Sequence, residues 1–184
     1  MKIRLATPEI QKDSVVDGEG IRAVIWTQGC PHHCPGCHNP ETHSFTSGYV
    51  VDTSDIKEQM KKLEFHTGIT LSGGDPLMQV EACLDLVKCA KELNLDVWCY
   101  TGFTFEELLV AMKTKPVIKE FLSSIDVLVD GKFKLEEKTY DAIFRGSKNQ
   151  RIIDSKESIK INMVVELEKY NSQIKKNEER KVYI

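Results

Sequence analysis

Three cysteines crowd one short stretch, Cys30-Pro31-His32-His33-Cys34-Pro35-Gly36-Cys37. An odd, crowded set of thiols suits metal ligation in a reducing compartment better than a disulfide framework. Pro31, Pro35 and Gly36 interrupt regular structure, which lets the backbone wrap a compact object. Two metal chemistries fit. A cubane iron-sulfur cluster usually takes four cysteines, so ligation by Cys30, Cys34 and Cys37 leaves one iron open to another ligand. A structural zinc site of the Cys3His kind is the alternative, completed by His32, His33 or His38. Cys83, Cys89 and Cys99 fall in apolar, periodic segments and read as small buried hydrophobes.

Three further stretches carry chemistry. In Ser72-Gly73-Gly74-Asp75-Pro76 the glycines permit close backbone approach to a ligand, and a carboxylate at a strand end can pair with a cation. Asp130-Gly131-Lys132 is a turn that presents a lysine. Arg145, Lys148 and Arg151 around Gly146 form a basic loop suited to a carboxylate, a phosphate or a partner surface.

The elements that must position these residues follow from hydrophobic periodicity. Ile21 to Trp26 is β-branched and aromatic, a buried strand feeding the cysteine loop. A helix is expected near Asp55 to Phe65, with Asp55 and Glu58 as a capping box. Gly68 to Leu71 forms a strand that stops at the glycine loop, and Val80, Cys83, Leu84, Val87, Ala90 and Leu93 then recur at helical spacing. Asp96 to Tyr100 is a strand, Thr104 with Glu107 caps a helix carrying Leu108, Leu109 and Met112, and Ile125 to Val129 is a fourth strand. Arg151 to Ile153 and Ile159 to Leu167 add possible strands, and the mixed-charge end from about 168 reads as a solvated tail. The alternation implies an α/β fold with a mostly parallel sheet. At this length it supplies a partial, open (β/α) barrel whose strand ends gather the loops on one rim.

The 184 residues suit one domain, 1–184. The net charge of -3 argues for no nucleic-acid partner. No apolar run approaches a membrane span and Met1 to Leu5 lacks a signal core, so the expected location is cytoplasmic, with no membrane partner.

Cys-x3-Cys-x2-Cys after the first strand resembles the signature of the radical S-adenosylmethionine superfamily. The glycine loop resembles its Gly-Gly-Glu motif, with Asp75 in place of Glu, and Asp130-Gly131-Lys132 resembles the Asp-x-Lys element of glycyl-radical activases. Asp17-Gly18-Glu19-Gly20-Ile21-Arg22 and Cys37-His38-Asn39-Pro40-Glu41-Thr42 look like those activases too. Phe144-Arg145-Gly146-Ser147-Lys148-Asn149-Gln150-Arg151-Ile152-Ile153-Asp154 resembles the branch that serves anaerobic ribonucleoside-triphosphate reductase.

The resemblance implies a fold of the radical S-adenosylmethionine type and a 4Fe-4S cluster on Cys30, Cys34 and Cys37. It implies S-adenosyl-L-methionine seated by Gly73, Gly74 and Asp75, bordered by Gly36, Cys37 and His38, with Asp130 and Lys132 assisting. The reaction implied is reductive cleavage of the cofactor and hydrogen abstraction from a glycine of the reductase, with no catalytic residue beyond the cluster ligands. The electron comes from an external donor such as flavodoxin. Cys99 stands where some relatives carry an aspartate before Thr-Asn-Gly, which leaves a monovalent-cation site open. The rival functions are activation of another glycyl-radical enzyme, such as pyruvate formate-lyase, and a non-catalytic zinc or iron-sulfur interaction module.

Overall fold

The structure is a computed structural model that describes residues 1–170. The expected strands form: β3 (Arg22–Thr27), β5 (Gly68–Gly73), β6 (Asp96–Tyr100) and β7 (Val127–Asp130) lie side by side and pair in parallel. Four further strands extend this centre antiparallel. These are β1 (Lys2–Leu5), β2 (Gln11–Ser14), β4 (Tyr49–Asp52) and β8 (Arg151–Asp154). The order is β4-β1-β3-β5-β6-β7-β8 with β2 beside β3, so the sheet is open, parallel at its centre and antiparallel at its margins.

Period-two alternation assigns the two faces. Ala23, Ile25, Ile69, Leu71, Val97, Cys99, Leu128 and Ile153 face the helices and are buried with them. Those helices are α1 (Thr53–Met60), α2 (Val80–Glu92), α3 (Phe105–Ala111), α4 (Pro116–Ser124) and α5 (Ser155–Ile161). The α2 stripe expected from spacing is realised: Val80, Cys83, Leu84, Val87 and Ala90 are all buried. Thr104 and Glu107 form the capping box at the start of α3, each side chain bonding the other's backbone N–H.

Two expectations are corrected. The first helix starts at Thr53 after Asp52, before the expected Asp55–Glu58 box, and its cap carries no side-chain hydrogen bond. Residues 155–161 are helical, where Ile159 to Leu167 suggested a strand, because Asp154 accepts from the Glu157 N–H and nucleates a turn. Asn162 ends that helix in the left-handed region at φ 54°. Helix α4 and strands β1, β2 and β4 had no expectation. Of the charged end, residues 171–184 lie outside the described residues. Among the described residues, no helix is long and apolar enough to cross a membrane.

The second face of the central strands is covered by loops instead of helices. At its lower end the fully buried Arg22 donates to Thr70 Oγ1 (2.7 Å), to the Ile69 carbonyl and to the Glu19 carbonyl, pairs with Asp96 (2.6 Å) and lies over the Trp98 ring. Trp98, Val127, Val129, Ile152 and Tyr170 pack beside it as a second apolar cluster. This closes one end of the face and leaves the other, at the carboxyl ends of the strands, for a site.

Candidate metal centre and adjoining cavity

The cysteine loop leaves β3 through Gly29, whose N–H bonds the Thr42 carbonyl, while the Cys30 N–H bonds that of His43. Each of the three sulfurs has a backbone N–H directed to it: His32 for Cys30, Phe133 for Cys34, and Asn39 for Cys37 at 3.4 Å. Such bonds stabilise thiolate and cluster sulfur and tune its potential. Burial pushes the Cys30 and Cys34 thiols up, opposed by those N–H groups. The neighbouring thiols push further in the same direction, with Asp75 adding to the effect on Cys30. Thiolates that resist one another's ionisation are stabilised together by a cationic metal. Lys132 is close enough to lower Cys34.

Among the described residues, no three His, Cys, Asp or Glu side chains are grouped as a single metal ion needs. A 4Fe-4S cluster places each thiolate on a different iron. By donor chemistry, three cysteines with directed N–H groups fit such a cluster, with one iron left without a cysteine. Cys83, Cys89 and Cys99 are buried away from the loop, and burial pushes their thiols up.

Segments from the far side of the sheet cover the loop. After β7, the Phe133 ring packs on His38 (4.9 Å between centroids), and Leu135 lies where a side chain at Gly36, which sits at φ 71°, would have to go. The segment from Phe144 to Arg151 is stitched to this cover. Asn149 donates to the Lys132 carbonyl and Gln150 to that of Gly131, while Gln150 Oε1 accepts the Gly146 and Ser147 N–H groups. A Cβ on Gly146 would stand 2.8 Å from the His38 ring and 3.0 Å from that of Phe133, so a larger residue there would have to push these rings aside.

Beside His38 and Asn39 opens a cavity of about 350 Å³ on the second face of the sheet. Trp26, Ser72 and Tyr100, at the ends of β3, β5 and β6, form its floor, and Asp17, Phe144 and Arg145 are among its walls. The volume suits a nucleotide-sized ligand. Burial lowers the Arg145 guanidinium, with Glu166 acting in the opposite direction.

The site residues expected from sequence divide into two groups. Cys30, Cys34, Cys37, Gly36, His38 and Lys132 gather at the loop and its rim. Asp75 and Asp130 are buried, and protein donors occupy both. Asp75 accepts from Leu77, Thr101 and Gly102 and contacts His32. Asp130 accepts from the Phe105 N–H and from Arg151. Gly73, at φ 98°, and Gly74 hold β5 against β3: a Cβ on either would lie within 2.6 Å of the Thr27 or Gly29 carbonyl. The expected basic loop separates, since Arg145 lines the cavity while Arg151 bridges Asp130 and Glu106. Sequence reasoning did not single out Ser72, Tyr100 or Gln150 for the cavity, and only their positions at strand ends could have pointed to them.

A family model described as a 4Fe-4S single cluster domain matches residues 16–153. Three relatives are named anaerobic ribonucleoside-triphosphate reductase-activating protein. One, from Haemophilus influenzae, is 37% identical over 149 residues, covering 75% of this chain and 90% of its own length. One from Escherichia coli K12 is 34% identical over 74% of this chain and 90% of its own. One from Enterobacteria phage T4 is 34% identical over 74% and 86%.

Proposed function

Because the chain belongs to the family of anaerobic ribonucleoside-triphosphate reductase-activating proteins, with its 4Fe-4S domain, we propose that it activates such a reductase by generating a glycyl radical on it. The observation that carries the reading is the position of the cavity: it shares His38 and Asn39 with the N–H-directed cysteine loop and opens at the carboxyl ends of the parallel strands. When bound, a 4Fe-4S cluster with S-adenosyl-L-methionine would supply the one-electron cleavage of a sulfonium and a 5'-deoxyadenosyl radical able to take a hydrogen from glycine.

The chain's own residues do the rest. Cys30, Cys34 and Cys37 hold the cluster as thiolates, and their backbone donors keep the sulfurs oriented. His38 and Phe133 form an aromatic wall beside the loop on which a purine can stack. Ser72 and Tyr100 line the floor, Gly36 keeps the loop thin, and Lys132 adds positive charge near Cys34. Arg145, whose Nη1 donates to the Gln150 carbonyl, places a planar guanidinium on the cavity wall. Glycine suits the hydrogen abstraction because it lacks a side chain and its flanking amide groups delocalise the radical. A one-domain chain that takes its electron from a soluble donor such as flavodoxin completes the reading.

The test is anaerobic reconstitution with iron and sulfide, followed by reduction, addition of S-adenosylmethionine and electron paramagnetic resonance on a mixture with the reductase. A doublet on the reductase that disappears with Cys34→Ala supports the reading. An undiminished doublet with Cys34→Ala, or stoichiometric zinc without iron after anaerobic purification, contradicts it.

A further inference from the structure

Asp75 is the buried carboxylate nearest the cysteine loop, and its acceptor sites are filled. Oδ1 accepts the Leu77 N–H (3.0 Å). Thr101 Oγ1 lies 3.1 Å from Oδ1 and 2.9 Å from Oδ2, and Oδ2 also accepts the Gly102 N–H (3.0 Å). The remaining contact is His32 Nε2, 2.8 Å from Oδ2. A carboxylate offers about four lone-pair sites, and here two amides, a hydroxyl and an imidazole take them. Since the carboxylate accepts, Nε2 carries the proton in this pair.

His32 lies between Cys30 and Cys34, yet its side chain is 5% exposed. Its ring stands edge-on to Phe103 at 4.6 Å and fills the space above Gly102, where a Cβ would approach it to 2.3 Å. The loop is therefore fastened to the ends of β5 and β6 by one side chain. Asp75 adds a second tie through its backbone, as its N–H bonds the Gly29 carbonyl (2.9 Å).

We propose that His32 and Asp75 are a positioning pair: the carboxylate holds the imidazole, and through it the cysteine loop, against the rim of the sheet, and so is not the group that receives a cofactor's ammonium. The statement about the cofactor rests on the function proposed above. The fastening of the loop does not. Aspartate suits this role because its short side chain keeps the carboxylate at the strand end, within reach of Thr101 and Gly102.

Two measurements test the pair. The first is amide hydrogen exchange at Cys30 and Cys37 in the metal-free protein, where neither cluster nor cofactor enters. His32→Ala and Asp75→Asn should each accelerate it about tenfold, and the double variant should be no faster than the faster single, the mark of a shared interaction. His32→Gln, which retains an N–H donor, should return to within about threefold of the wild type. Wild-type exchange in His32→Ala, or effects that multiply in the double variant, overturns the pair.

The second is equilibrium binding of S-adenosylmethionine to the reconstituted, oxidised protein. The two single variants should lose affinity by the same factor. A loss of about tenfold in Asp75→Asn, with wild-type affinity in His32→Ala, overturns the proposal and returns Asp75 to the ammonium. If the wild type binds no cofactor, the function proposed above fails, and exchange alone decides this inference.

Discussion

Replacing Arg151 by Met keeps the length and apolar stem of the side chain and removes the guanidinium. That group donates from Nε (3.0 Å) and Nη2 (2.5 Å) to Asp130, and from Nη1 (2.9 Å) and Nη2 (2.7 Å) to Glu106. The two carboxylates raise the Arg151 pKa, so the charge persists throughout any accessible pH. Asp130 is 1% exposed and keeps only the Phe105 N–H (2.7 Å) when the guanidinium is gone. Breaking a buried pair from one side destabilises by about 3–5 kcal/mol, and an exposed pair is worth about 0.2–1 kcal/mol. Arg151 is 27% exposed and Glu106 59% exposed, so the Glu106 arm counts at the surface value and the Asp130 arm falls short of the buried one. The expected loss is about 2–3 kcal/mol. Urea unfolding should show it as a lower midpoint at unchanged slope. A loss under about 0.5 kcal/mol, or an equal loss in Glu106→Gln, would refute the argument that the energy resides in the buried arm. Because this pair closes the base of the segment that brings Phe133 over Cys34, Arg151→Met should also release reconstituted iron to a chelator faster.

Cys99→Ala should leave iron content unchanged and lower stability by about 1–2 kcal/mol, whereas Cys34→Ala should abolish the intact cluster; iron and sulfide analysis separates them. Gly102→Val should displace His32 and reduce iron retention at least as much as His32→Ala, and full retention would show that the ring does not need its place. Burial alone would raise the Asp126 carboxyl, but Lys156, Lys91 and the Val97 N–H together hold it below its ordinary value. Its stabilisation is therefore fully present above about pH 4, the unfolded value, and is lost as the pH falls through the folded one. Accordingly, the stability difference between wild type and Asp126→Asn should hold steady above about pH 5 and shrink as the pH falls from about 4 towards 2, and a difference that stays constant down to about pH 2 would contradict the assignment.

Local patterns made much of this molecule legible. Strands β3, β5, β6 and β7 are apolar runs closed by glycine or by a polar turn, and the Thr104–Glu107 cap is a local signal that the structure reproduces. The marginal strands were not legible: Gln11 to Ser14 is polar, and β1 and β4 are four residues each, paired by contacts between distant segments. Ile159 and Ile161 alternate as a strand would, but the decisive signal was Asp154 three residues before Glu157. At the site, spacing alone marked Cys30, Cys34 and Cys37. The occupancy of Asp75 was hidden because its donors come from His32, Leu77, Thr101 and Gly102, segments that only tertiary folding brings together. Asp130 and Arg151 likewise meet only through the antiparallel register of β7 and β8.

In the proposed function, three cysteines leave one iron for a small-molecule ligand. Electron-nuclear double resonance on the reduced, reconstituted protein with S-adenosylmethionine carrying a nitrogen-15 amino group tests it most directly. The expected result is a hyperfine coupling between the cluster and that nitrogen, present in the wild type and lost when unlabelled methionine replaces the cofactor. A protein that binds the cofactor yet shows no such coupling, with a cluster spectrum unchanged on its addition, would contradict it.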